Sequence, residues 1–196
     1  MDEEAFRARI AAEVPPGMLA HTDRVAAIAT ALAERHRLDS GLVRLMALGH
    51  DVLRAVPPAE LLHRAEACGL PVDPVERAVP VILHGPLGAL ALAERFDVRD
   101  PRILFAVQWH TTGHPDYDAE AWAMFIADKV DPHKVERWPA LADVREIAER
   151  SLEAAALRYL DLRLEEALAR RLLVHPMATR TRNALIERVV GPPSAD

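Results

Sequence analysis

Apolar residues recur along almost the whole chain at three- and four-residue spacing, and no stretch alternates with a period of two. That pattern predicts an all-α protein. Pro15, Pro16 and Gly17 separate a short first helix from a second, in which His21, Val25, Ile28 and Leu32 share one face. Asp39-Ser40 is a helix start signal, followed by Val43, Met46, Ala47 and His50 on a common stripe. Pro57-Pro58 opens a segment that runs through Cys68 and closes at Gly69. Asp73-Pro74 starts a helix carrying Val75, Val79, Ile82 and Leu83, with Pro80 expected to bend it. His84-Gly85-Pro86 interrupts the pattern, which restarts from Leu87 to Phe96, and Asp100-Pro101 leads a helix to His110. A polar loop over Thr111 to Tyr117 follows, and a helix resumes from Trp122 to Val130 and ends at Asp131-Pro132. From Ala140 onward the chain reads as helix, with a long amphipathic stretch over Ser151 to Leu173 and a tail from Gly191 to Asp196 read as disordered. With no internal repeat and no low-complexity linker, the expectation is one domain over 1–196, with a core of about 18–150 and a helical extension of about 151–190.

Composition supports this and narrows the partners. Of 196 residues, 51% are hydrophobic, enough for a core, and the prevailing Ala, Leu, Arg and Glu lose little freedom in helices. A net charge of −6 argues against nucleic acid as a partner, though not against a small anion, because bound cations can dominate a local field. The single cysteine, Cys68, allows neither an internal disulfide nor a thiolate metal site, so a reducing, cytoplasmic setting is expected, with Cys68 read as a small packing residue. No signal segment is visible, and no apolar run approaches the roughly 20 residues a membrane span needs. The alternating Arg and Glu of the long C-terminal helix read as a solvated face.

Chemistry is suggested by where polar residues interrupt apolar faces. His21 heads an apolar stripe, His50-Asp51 ends a buried-looking helix, His84 ends Val81-Ile82-Leu83, His110 ends Phe105 to Trp109, and Asp128 interrupts Met124 to Ala127. A single histidine on an apolar face is more often a satisfied core residue than a ligand. Burying six such groups separately is costly, whereas burying them around cations removes the penalty. Imidazole and carboxylate donors without thiolate suit iron, manganese, zinc or magnesium.

The order His21, His50-Asp51, Asp128 resembles the signature of the HD superfamily, and the additional His84 and His110 resemble its two-metal variant. The blocks His84-Gly85-Pro86-Leu87-Gly88-Ala89, His110-Thr111-Thr112-Gly113 and Ile126 to Pro132 resemble the YqeK family of bacterial symmetrical diadenosine tetraphosphatases, over about Met18 to about Arg150. The resemblance implies an HD-domain helical bundle with additional C-terminal helices. It implies a nucleotide substrate cut into two ADP by a hydroxide that two metal ions activate. The ions would be iron first, with manganese, zinc or magnesium as alternatives. Their implied ligands are His21, His50, Asp51, His84, His110 and Asp128, with Asp51 bridging. Asp51, Arg54 and Lys129 are the candidate catalytic residues. Arg24, Arg54, Thr111, Thr112, His114, Tyr117, Lys129 and Lys134 are the candidate substrate contacts.

This chain departs from that family at Arg54, where the family usually has Lys, at His114, where it often has Arg, and at Asp131-Pro132-His133-Lys134, where a Glu-Pro is often followed by Arg two positions on. Core packing is the expectation for Trp109 and Trp122, and no chemistry is assigned to His36, His63, His133 or His175. Alternative readings are an HD phosphohydrolase for a mononucleotide or cyclic dinucleotide, a nucleotide-sensing HD module, and a helical scaffold in which these side chains satisfy one another. The C-terminal helices offer surface for a homodimer.

Overall fold

A computed structural model describes residues 2–191. The expectation for the tail falls on residues 192–196, outside the described part. Among the described residues there are twelve α-helices, one turn of 3₁₀ helix and no strand. The helices are α1 (Glu3–Glu13), α2 (Pro16–Arg35), α3 (Ser40–Gly49), α4 (Pro58–Ala67), α5 (Pro74–Ala78), α6 (His84–Arg95), α7 (Pro101–Trp109), α8 (Ala119–Lys129), α9 (Pro132–Arg137), α10 (Leu141–Ala148), α11 (Leu152–Arg170) and α12 (Pro176–Val189). The 3₁₀ turn, Pro80–Leu83, leads directly into α6.

The starts follow cap chemistry legible in the sequence. Asp39, Asp73, Asp100, Asp118, Asp131 and Ser151 each accept a backbone N–H of the first turn that no carbonyl could satisfy. Three boundaries differ from expectation. Pro80 does not bend a helix but ends one: α5 stops at Ala78, and Val79 turns away with φ −130° and ψ 68° because a residue before proline is disfavoured in the helical region. Gly85-Pro86 does not break a helix either. Both lie in the first turn of α6, where a missing N–H costs nothing. Helix α8 begins three residues before Trp122, because the Asp118 carboxylate accepts from Ala121 N at 2.8 Å. Cys68, expected to pack, is exposed at the end of α4.

Helix α8 is the axis of the molecule. Every residue from Ala121 to Lys129 is buried, and the helix packs against α2, α3, α7, α10 and α11. A helix apolar all round belongs inside a protein, and from Ala121 to Ala127 this one is apolar all round, with Asp128-Lys129 following. Phe6 and Ile10 of α1 close the core on the α3 side, and α11 lays α10 and α12 against the other side. Among the described residues no helix is long and apolar enough to cross a membrane.

Candidate metal centre

Three of the six candidate ligands stand at helix ends, where the last carbonyls have accepting capacity to spare. His50 follows α3, His84 follows the 3₁₀ turn and His110 follows α7. Each uses such a carbonyl three residues back: His50 Nδ1 lies 2.7 Å from Ala47 O, His110 Nδ1 lies 2.7 Å from Val107 O, and His84 Nδ1 bonds Val81 O. A carbonyl only accepts, so Nδ1 carries a proton in all three, and in the neutral ring the lone pair is left on Nε2. His21 instead sits inside α2, and its Nδ1 lies 3.0 Å from Asp131 Oδ2.

The four Nε2 atoms converge on two carboxylates. Asp51 Oδ1 lies 3.0 Å from His84 Nε2 and 3.4 Å from His110 Nε2, while Asp51 Oδ2 lies 3.4 Å from His50 Nε2 and 3.7 Å from His21 Nε2. Asp128 Oδ1 lies 3.2 Å from His21 Nε2 and 3.5 Å from His50 Nε2. One oxygen of Asp51 thus faces each imidazole pair, giving two ligand groups, His21-His50-Asp51 and Asp51-His84-His110, that share a residue. His84 and His110 point Nε2 at Nε2 across 2.9 Å, and with both protons on Nδ1 nothing joins them. His50 Nε2 is buried without a hydrogen-bond partner. Lone pairs and carboxylates facing one another out of water need a shared positive charge, and oxygen and imidazole donors without sulfur suit a divalent cation. The residues present fit such an ion.

The electrostatics of the chain alone show the same demand. Burial disfavours an imidazolium at His50, yet the Asp51 charge and the hydrogen-bonding pull of Asp128 and Asp51 override it and push its pKa up to about 10. His110 goes the other way, down to about 4, because burial and the neighbouring His84 and His50 outweigh Asp51. Burial would raise Asp51, but His50, His110 and His84 hold it well below the usual carboxylate range. Asp128 is likewise held low against its burial, chiefly by Lys129 and Lys134. Lys129 is itself buried: its ammonium donates to Asp128 Oδ2 at 2.7 Å and His110 O at 2.8 Å and lies 4.6 Å from the centre of the Phe125 ring. Lys134 reaches the other Asp128 oxygen from α9.

A cleft of about 550 Å³ opens onto His21 and Asp51, walled by Arg24, Arg54, Asp131 and Lys134 with His133 and Arg137 at its rim. Arg24 Nε donates to Asp131 Oδ2 at 3.0 Å, whereas the Arg54 guanidinium has no ion pair among the described residues. The loop after α7 contributes less than expected. Thr111 and Thr112 line a separate groove beside α11 and α12, and the Thr112 hydroxyl donates to Gly113 O at 3.0 Å. His114 lies between Phe105 and Trp109, where burial lowers its pKa, and its Nδ1 accepts from Asp116 N at 3.1 Å. It is therefore no cation for a phosphate at neutral pH. Tyr117, expected to contact the substrate, is in the core: its hydroxyl donates to Ala106 O at 2.5 Å and its ring packs on Trp122. The loop folds back onto α7 because that ring buries more apolar area inside than it would on the surface. Asp131, which the sequence marked as a helix end and not as a site residue, joins His21, Arg24 and α9.

An all-helical bundle carrying this His/Asp cluster defines a class. Residues 18–133 match the HD domain family. The chain belongs to the HD domain family. It is 27% identical over 158 residues to the symmetrical bis(5'-nucleosyl)-tetraphosphatase of Bacillus subtilis, covering 81% of this chain and 83% of that one. It is 29% identical over 141 residues, 71% of each chain, to the protein of the same name from Staphylococcus aureus. Its fold is similar to a crystal structure described as a "predicted HD superfamily hydrolase involved in NAD metabolism" from Clostridium acetobutylicum, with a TM-score of 0.88 at 21% identity, covering 96% of this chain and 98% of that one.

Proposed function

We propose that this protein splits diadenosine tetraphosphate symmetrically into two ADP. The observation that carries the reading is the division of the Asp51 carboxylate between two imidazole pairs, beside a cleft lined by Arg24, Arg54 and Lys134. The names of the Bacillus and Staphylococcus relatives supply the substrate. In this reading Asp51, His84 and His110 hold one ion, and His21, His50, Asp51 and Asp128 hold the other, with iron proposed and manganese, zinc or magnesium compatible with the same donors. Bound ions would polarise a phosphoryl oxygen and make water acidic enough to attack near neutral pH.

The chain's own residues do the rest. Arg54, with no ion pair among the described residues, is placed to pair bidentately with phosphate oxygens, and Arg24 and Lys134 add positive charge where negative charge gathers on the polyphosphate. Lys129 is a positioning residue: its ammonium ties Asp128 to the backbone of His110, joining two ligand-bearing helices. Water adds to the second phosphorus from one adenosine, and the bridging oxygen leaves with the other ADP. A nucleoside diphosphate is a good leaving group, so little general-acid help is required. The single exposed cysteine suits a reducing cytoplasm.

The test is to purify the protein anaerobically, quantify its metal, supply diadenosine tetraphosphate and identify the products by mass. Two ADP are expected. AMP plus ATP would overturn the symmetrical cut, and no turnover by metal-loaded protein would overturn the substrate. Arg54→Ala should raise KM roughly ten- to hundredfold, the worth of one charge-assisted contact.

A further inference from the structure

His21 differs from the other three imidazoles in what orients it. His50, His84 and His110 each turn Nδ1 to the main-chain carbonyl three residues back at a helix end, so the main chain alone sets each tautomer. His21 lies in the second turn of α2, where the carbonyls three and four residues back are engaged in helical bonds. Its Nδ1 is held by a side chain instead, Asp131 Oδ2 at 3.0 Å. That carboxylate is completely buried. The same Oδ2 accepts from Arg24 Nε at 3.0 Å, and Oδ1 accepts from His133 N at 2.8 Å, which caps α9 and so places Lys134 beside Asp128.

We infer that Asp131 is the positioning residue of one half of the centre: it selects the Nδ1–H tautomer of His21 and fixes that ligand to Arg24 at the mouth of the cleft. The two halves are then unequal. The His84-His110 half is preformed by backbone, and the His21-His50 half depends on one carboxylate. Without Asp131 nothing keeps the proton on Nδ1 or the ring in place, and an Nε2–H tautomer would turn a proton toward the ligand group in place of a lone pair. Loss of a partner that orients a ligating histidine typically weakens metal binding about 10–100-fold. The inference rests on the proposed two-ion reading of the cluster.

The experiment is titration of the metal-free full-length protein with Mn²⁺, read by elemental analysis of bound metal and by the exchange-coupled Mn–Mn electron paramagnetic resonance signal. Wild type should take up two ions. Asp131→Ala should keep one at wild-type affinity, bind the second about 10–100-fold more weakly, and lose the coupled signal at stoichiometric metal. Asp131→Asn keeps one acceptor oxygen in place of two, so it serves His21 Nδ1 or the α9 cap but not both; turned to His21 it should restore part of the coupled signal, which a merely structural role does not require. If the Ala variant fails to fold, the Asn variant carries the test by a measurable weakening of the second ion alone. Two ions bound with wild-type affinity by the Ala variant, or equal loss of both, would overturn the inference. A wild type that takes up no Mn²⁺ would overturn the two-ion reading beneath it.

Discussion

With both carboxylates ionised and no cation between them, His50 takes up a proton it would otherwise release near neutrality. Its folded pKa of about 10 stands above the ordinary value of 6.5. The imidazolium therefore stabilises the metal-free chain fully below that ordinary value, and the contribution disappears as pH rises through about 10. Thermal melts of chelator-treated protein should fall in midpoint between pH 7 and 10, and the slope should be absent in His50→Gln. An equal slope in both proteins would show that the carboxylates do not draw a proton there. At this scale the candidate ligands were legible because each is a polar side chain on an apolar face. His114 and Tyr117 were misread because a polar loop does not reveal which of its side chains fold back; Phe105, Trp109 and Trp122, which hold them, are distant or ambiguous in sequence.

At the scale of elements, the close approach of α6 to the end of α7 sets the spacing of His84 and His110. A methyl group at Gly85 would stand 2.8 Å from the Gln108 carbonyl oxygen, so only glycine lets the two helix ends meet. Gly85→Ala should destabilise the protein by about 1–3 kcal/mol, the usual cost of overpacking, and should reduce bound metal because it separates the two imidazoles. Denaturant unfolding together with metal analysis tests both; unchanged metal content would show that the helix junction does not set the ligand spacing. The sequence announced a glycine here, next to a proline, but read it as a break. The ordinary meaning of Gly-Pro is a turn, and only the neighbouring backbone of α7 shows that the glycine serves a contact inside a helix. By contrast, the Asp-Pro starts of α5 and α7 were readable in advance, since a cap acts on residues two or three positions away.

For the whole molecule, the candidate ligands come from residues 21, 50, 51, 84, 110 and 128, gathered by helices α2, α3, α6, α7 and α8. Ions that bind this arrangement and not the unfolded chain stabilise it by mass action, about 4 kcal/mol at a thousandfold excess over Kd. For a chain of this length that is roughly 8–16 °C in Tm. A strong chelator should lower the melting point by about that amount and readdition of metal should restore it; no shift would mean that no ion is held between these helices.

The amino-acid order by itself determined the helices, their caps and the set of buried imidazoles and carboxylates, because periodicity, capping and the cost of burying a polar group act locally or residue by residue. Tertiary structure decided which Asp51 oxygen faces which pair, which cations reach the cleft, and that Asp131 holds His21 across 110 positions of chain. Those outcomes depend on how helices remote in sequence pack, and no local pattern encodes the distance between them.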